Sequence, residues 1–192
     1  MPGLTIQLKR ITKYGVLSTF TTALVIISTI TFSSFAPSLA QVPIVAEAII
    51  SGTSQSPEIT GRVVLSETAE GLRIIGTIAN ASPGEHGFHI HEYGSCANDG
   101  QDAGDHFNPV GVQHGHLLSH GFEYAHAGDL GNIYVNPDGT SSWDQIYPGL
   151  TLSDSSYSVA GRSFILHADP DDFGQPSGNA GPRIACGVIS IR

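Results

Sequence analysis

The sequence predicts an all-β sandwich or flattened barrel, and three observations carry that prediction. From residue 43 onward, short runs rich in β-branched and aromatic residues alternate with Gly, Pro, Ser and Asn punctuation. NPDGT (136–140) is a strong turn between two such runs. No 15-residue window keeps a clean helical period with caps at both ends. Taken in order, the strand signals are VPIVAEAII (42–50), GRVVLSE (61–67), GLRIIGTIA (71–79) and GFHIHEY (87–93). They resume at NIYVN (132–136), SSWDQIY (141–147), the 150–159 region, GRSFILH (161–167) and ACGVISI (185–191). That makes about eight strands and two long loops, 94–128 and 168–184. Loops of that length in a compact domain usually serve function.

Residues 1–40 read differently. Lys9, Arg10 and Lys13 precede an apolar, Thr-rich run from about Val16 to Phe35, and Ser38 and Ala40 suit a cut before Gln41. That order is the layout of a secretory signal peptide, so the chain is expected in a secreted, extracellular form. A periplasmic location, or an uncleaved anchor formed by residues 16–35, is the alternative. The remaining residues, 41–192, make one domain with room for a hydrophobic core. They hold five basic and 17 acidic residues, a net charge of −12 with His neutral. Such a surface argues against nucleic acid and, once the leader is removed, against a membrane surface. It leaves room for a small anionic substrate if the site has its own positive field. The two cysteines, Cys96 and Cys186, suggest one disulfide in an exported chain.

Nine histidines fall within residues 41–192. On a strand, side chains at i and i+2 share a face, so His89 and His91 can approach one ion while Phe88 and Ile90 enter the core. Histidines on a polar strand face are common, and that pair alone says little. The loop adds His106, His114 and His126 with Asp129, a set of three imidazoles and one carboxylate that suits zinc in a closed tetrahedral site. His167 ends GRSFILH and is a ligand candidate from a second strand. The strand-borne, imidazole-rich set favours copper. A calcium reading fails, because DPDD and NDGQD lack an EF-hand register.

GFHIHEYG (87–94), AGDHFNP (103–109), HAGDLGN (126–132), GRSFILH (161–167), DDFG (171–174) and GNAGPRIACGVI (178–189) together resemble the copper/zinc superoxide dismutases, in the family's order, over about residues 43–191. The resemblance implies an eight-stranded Greek-key β-barrel, usually a homodimer, with one copper and one zinc per subunit and superoxide as substrate. It implies copper on His89, His91, His106 and His167, and zinc on His106, His114, His126 and Asp129, with His106 as the bridge and a proton donor. Asp171 then bonds both His89 and His114, and Arg183 stands beside the open copper face. His86 is expected to make a structural hydrogen bond near the site. A metal carrier on the same fold would lack Arg183 or the open face, and an adhesive sandwich would need none of these ligands.

Two departures from the family pattern stand out. GHLLSHGFEYA, between His114 and His126, is four residues longer than usual and offers His116 and His120 as alternative zinc ligands. HAGDLGN favours His126, because it places Asp129 three residues on. The late loop is short, with only QPS between DDFG and GNAGPR, so the electrostatic loop is shortened and Arg183 is nearly the only local positive charge. Asn80 opens the N-glycosylation sequon NAS. Apolar residues around Val159–Gly161 and Ile189–Ile191 suit either a dimer contact or ordinary core.

Overall fold

The structure, a computed structural model, describes residues 44–192. The expected leader, residues 1–40, and its boundary at Ala40/Gln41 lie outside them. Nine antiparallel strands follow: β1 (Val45–Gly52), β2 (Thr60–Thr68), β3 (Gly71–Ala79), β4 (Gly84–His91), β5 (Asn132–Val135), β6 (Ser141–Tyr147), β7 (Ser163–His167), β8 (Arg183–Val188) and β9 (Ser190–Ile191). Their order across the sheet is β5-β4-β7-β8-β1-β2-β3-β6, with β9 continuing alongside β1. The eight long-range neighbours curl into a nearly closed Greek-key barrel, as expected. Among the described residues, no helix is long and apolar enough to cross a membrane.

Alternation sets the register. In β3 the inward residues Leu72, Ile74 and Ile78 are fully buried, and the residues between them face out. Gly76 shares that inward face because Trp143, its partner in β6, lies across it: a Cβ there would overlap the indole. Trp143 meets Phe88 edge-on at 5.0 Å, and Phe88 stacks on Phe164 at 5.0 Å, so these three rings join β6, β4 and β7 through the core. Burying each of the two phenylalanines stabilises the barrel by roughly 2–3 kcal/mol relative to exposure.

Two sequence expectations need correction. The 150–159 region is no strand. Its polar stretch bonds locally, with Ser153 N–H donating to Thr151 Oγ1 and Tyr157 N–H to Ser155 Oγ, and such bonds compete with a ladder. Leu150, Leu152 and Val159 are buried in the core instead, while Tyr157 packs on Phe122 at 4.1 Å. The C-terminal run also breaks in two. Ile189 is buried, and its backbone bonds Gly161 and Arg162 rather than β1. The 94–128 loop carries only a 3₁₀ turn at Gln101–Ala103 and the single-turn helix α1 (Leu117–His120).

Candidate metal centre

Strand β4 is buried on both faces, and that is what makes the site. Phe88 and Ile90 point into the core, while His89 and His91, 0 % and 1 % exposed, point the other way. The long loop is laid along this second face by backbone bonds: Phe107 N–H donates to Ile90 O, Gly128 N–H to Phe107 O, and Ile90 N–H to Gly128 O. His106 thereby pairs opposite His91, and His167 arrives at the end of β7.

Two groups of ligand atoms converge. His89, His91, His106 and His167 form one, and His106, His114, His126 and Asp129 the other; within each, the candidate atoms all lie within 4.8 Å of one another. All seven residues are buried. His106 belongs to both sets and is placed to bridge them: its Nδ1 lies 2.8 Å from Asp129 Oδ1, which leaves Nε2 for the first set.

The other ring nitrogens are tied off, and that fixes which nitrogen faces inward. His91 Nδ1–H donates to Gly104 O at 2.9 Å, and His167 Nδ1–H to Gly181 O at 3.2 Å. His89 Nε2–H donates to Asp171 Oδ2 at 2.9 Å and His114 Nε2–H to Asp171 Oδ1 at 3.0 Å, so one carboxylate holds a member of each set. Asp171 is itself anchored by Phe173 N–H and, through its backbone, by Asn132. Gly178 stands against it at φ +79, where any Cβ would overlap the carboxylate.

What remains is a test of fit. The buried Nδ1 of His89 has no hydrogen-bond partner, and those of His114 and His126 meet only Asp129 Oδ1, at 2.9 and 3.1 Å, an oxygen already shared with His106. Buried polar atoms are rarely left so. A cation beside these lone pairs and the Asp129 carboxylate satisfies all three, so the residues fit a metal in each set.

Electrostatics agree. Burial opposes ionisation of Asp129, but hydrogen bonds from the imidazoles of His106, His114 and His126 and from the Gly115 N–H outweigh it and hold its carboxyl well below the usual range. Asp171 is depressed likewise, burial being outweighed by His114 and His89. Burial keeps His106 and His167 neutral, at about 4 and about 3, and it lowers His91 as well. Burial also opposes charging His114, but Asp129 and Asp171 raise it to about 9. Neutral imidazoles and ionised carboxylates are the forms that bind metal, so His114 must give up a proton when a cation enters.

The other residues singled out in the sequence lie outside the two sets. His116 and His120 stand at the two ends of α1, with His116 N–H donating to His120 Nδ1 and His116 Nδ1 meeting Ser119 Oγ. His86 makes structural contacts only, to His167 O and Ser82 O, each at 2.8 Å. Cys96 and Cys186 form the disulfide, with Cα atoms 5.7 Å apart, and tie the loop to β8. Asn80 is exposed in the turn after β3. Val159 and Ile189 are core, whereas Ile191 is 50 % exposed.

A cleft of about 700 Å³ opens onto His91, His106 and His167. Arg183 lines it, its guanidinium donating to Gly100 O at 2.5 Å and Gly104 O at 2.7 Å. Gly104 O thus serves both His91 and the arginine. Sequence reasoning missed a second arginine in this cleft, Arg162, which precedes β7. Its position inside GRSFILH, in a domain with so few basic residues, was the available signal.

Comparison with known proteins agrees with this geometry. A family model described as copper/zinc superoxide dismutase matches residues 59–189. The crystal structure of the clock protein EA4 is similar, at 34% identity and a TM-score of 0.70, covering 79% of this chain and 97% of its own. Two metal sets sharing one histidine and a match across most of the barrel have one conclusion: the chain belongs to the copper/zinc superoxide dismutase family.

Proposed function

We propose that His89, His91, His106 and His167 hold copper, that His106, His114, His126 and Asp129 hold zinc, and that Arg183 positions superoxide beside the copper set. The reaction converts two superoxide ions and two protons into dioxygen and hydrogen peroxide. Copper, when bound, supplies the one-electron redox cycle, and zinc a fixed positive charge beside the shared imidazole. The observation that carries the assignment is the single histidine common to both sets, one of which is all imidazole and the other carboxylate-bearing.

The chain's own groups divide the remaining work. Arg183 offers charge-assisted hydrogen bonds to a small anion, and two loop carbonyls hold it facing the cleft. His106 Nε2 is the atom at which a proton is held and released beside the anion. Asp129 orients His106 from the opposite nitrogen. Asp171 keeps His89 and His114 in one tautomer each, so the two sets move as a unit.

The setting we infer is extracellular, with residues 1–40 as a cleaved signal peptide. The leader-like order of those residues supports it, as does a disulfide in the mature domain. We place a homodimer contact on the surface of the paired strands β1 and β9, where Ile49 and Ile191 are 55 % and 50 % exposed. Asn80, exposed and within its sequon, is available for glycosylation.

Separate variants test the metal assignment. His167→Ala should lose copper and keep zinc, and Asp129→Asn should lose zinc and keep most copper. Loss of both metals in equal measure from either variant would overturn the division into two sites.

A further inference from the structure

Residues 44–192 contain five arginines and no lysine. Three of the five are in ion pairs: Arg62 and Arg192 share Glu47, and Arg73 pairs with Asp144. Arg162 and Arg183 have no carboxylate within ion-pair distance among the described residues. Both line the metal cleft. In a domain of net charge −12, the only two arginines without an ion pair among the described residues therefore line the same opening.

Arg162 is held there without losing its charge. Its guanidinium carbon lies 3.4 Å from the centroid of the Phe107 ring, next in sequence to His106. Its Nε–H donates to Ser158 O at 2.8 Å and its Nη1–H to Glu92 O at 2.7 Å. These acceptors are backbone carbonyls, which fix position but cancel no charge. Nη2 has no partner among the described residues. The charged side chains lining the cleft are Arg162, Arg183, Glu92 and Asp105, two of each sign. The lining is neutral before any metal is counted, and without Arg162 it would be negative.

We propose that Arg162 is a positioning residue for small monoanions, acting with Arg183 as the second cation of the cleft without an ion-pair partner and setting how the rate depends on salt. Its part is to draw the anion to the mouth, whereas Arg183 holds it at the centre. The inference rests on the proposed function for the identity of the substrate, but anion capture can be read independently of turnover.

The test uses the copper- and zinc-loaded protein and three variants: Arg162→Gln, Arg162→Lys and Glu92→Gln. Two quantities are read: the bimolecular rate with superoxide across ionic strength, and azide affinity followed through the copper absorption. One charge about 10 Å from the approaching anion changes its local concentration by roughly twofold at low salt. R162Q should lower the rate and azide affinity by about that factor, with metal content unchanged and a salt dependence that flattens or turns upward. R162K should restore most of both, and E92Q should raise both. Wild-type rate, salt dependence and azide affinity in R162Q would overturn the proposal. So would a loss in R162K as large as that in R162Q, because it would assign Arg162 a packing role alone. If R162Q fails to retain metal, E92Q decides: an unchanged rate and azide affinity there overturn the proposal. If the wild type consumes no superoxide while azide affinity still falls in R162Q, the proposed function fails and the inference about the cleft stands.

Discussion

Replacing Asp171 with Asn changes almost nothing in shape and removes what ties the two metal sets together. The side chain has no solvent exposure and accepts from His89 Nε2–H, His114 Nε2–H and Phe173 N–H. Asparagine keeps one acceptor oxygen and turns the other position into an NH₂ donor, which must face an imidazole N–H. One buried ring therefore loses its acceptor. A hydrogen bond to a charged group contributes about 1.5–3 kcal/mol net. The freed imidazole can then adopt the other tautomer or rotate, and losing such a partner typically lowers metal affinity 10–100-fold, or about 1.4–2.7 kcal/mol. The two estimates agree. Because Asp171 touches a histidine of each set, both metals should be affected. Competition against chelators of known affinity measures this directly, with near-UV circular dichroism as the control for intact packing. If D171N holds both metals within about twofold of wild type, the carboxylate does not organise the site.

Other perturbations have equally definite outcomes. Replacing Cys96 and Cys186 with Ser opens a loop spanning 90 residues of sequence and should cost about 4–5 kcal/mol, lowering Tm by roughly 10–20 °C in calorimetry; a drop under about 3 °C would remove the disulfide from the stability account. Arg183→Ser should lower the rate with superoxide about tenfold or more while copper content stays near wild type, and parallel loss of metal and rate would contradict an anion-holding role. Metal-free protein should be most stable near about pH 6.5. Below that, His106 and His167, held at about 4 and about 3 when folded, take up protons more readily in the unfolded chain, so stability falls with pH. Above it, His114, raised to about 9 in the fold, loses its proton and the stability linked to it. Urea midpoints that stay flat from pH 4 to 9 would refute the balance of charges described here.

How much of this was readable beforehand depended on whether the information was local. The alternation in GFHIHEY is local, and it correctly assigned Phe88 and Ile90 to the core and His89 and His91 to one shared face. His126, rather than His116 or His120, stands with Asp129 because HAGDLGN folds as a tight unit, with Asp129 Oδ2 accepting from His126 N–H. Five histidines in one loop left that choice open on spacing alone. The 150–159 region was misread because its apolar residues enter the core without joining a ladder. Arg162 was missed for a different reason. Its importance lies in what it lacks, a carboxylate partner, and only the placement of every other charge reveals that.

The central claim is that one all-imidazole set and one carboxylate-bearing set, joined by His106, run copper-dependent dismutation of superoxide. Copper and zinc per chain, measured on purified residues 41–192 alongside superoxide consumption before and after copper removal, test it most directly. The expected result is one copper and one zinc per chain, with turnover that vanishes when copper is removed and returns when it is restored. Full metal content without turnover, or turnover that survives copper removal, would contradict the account.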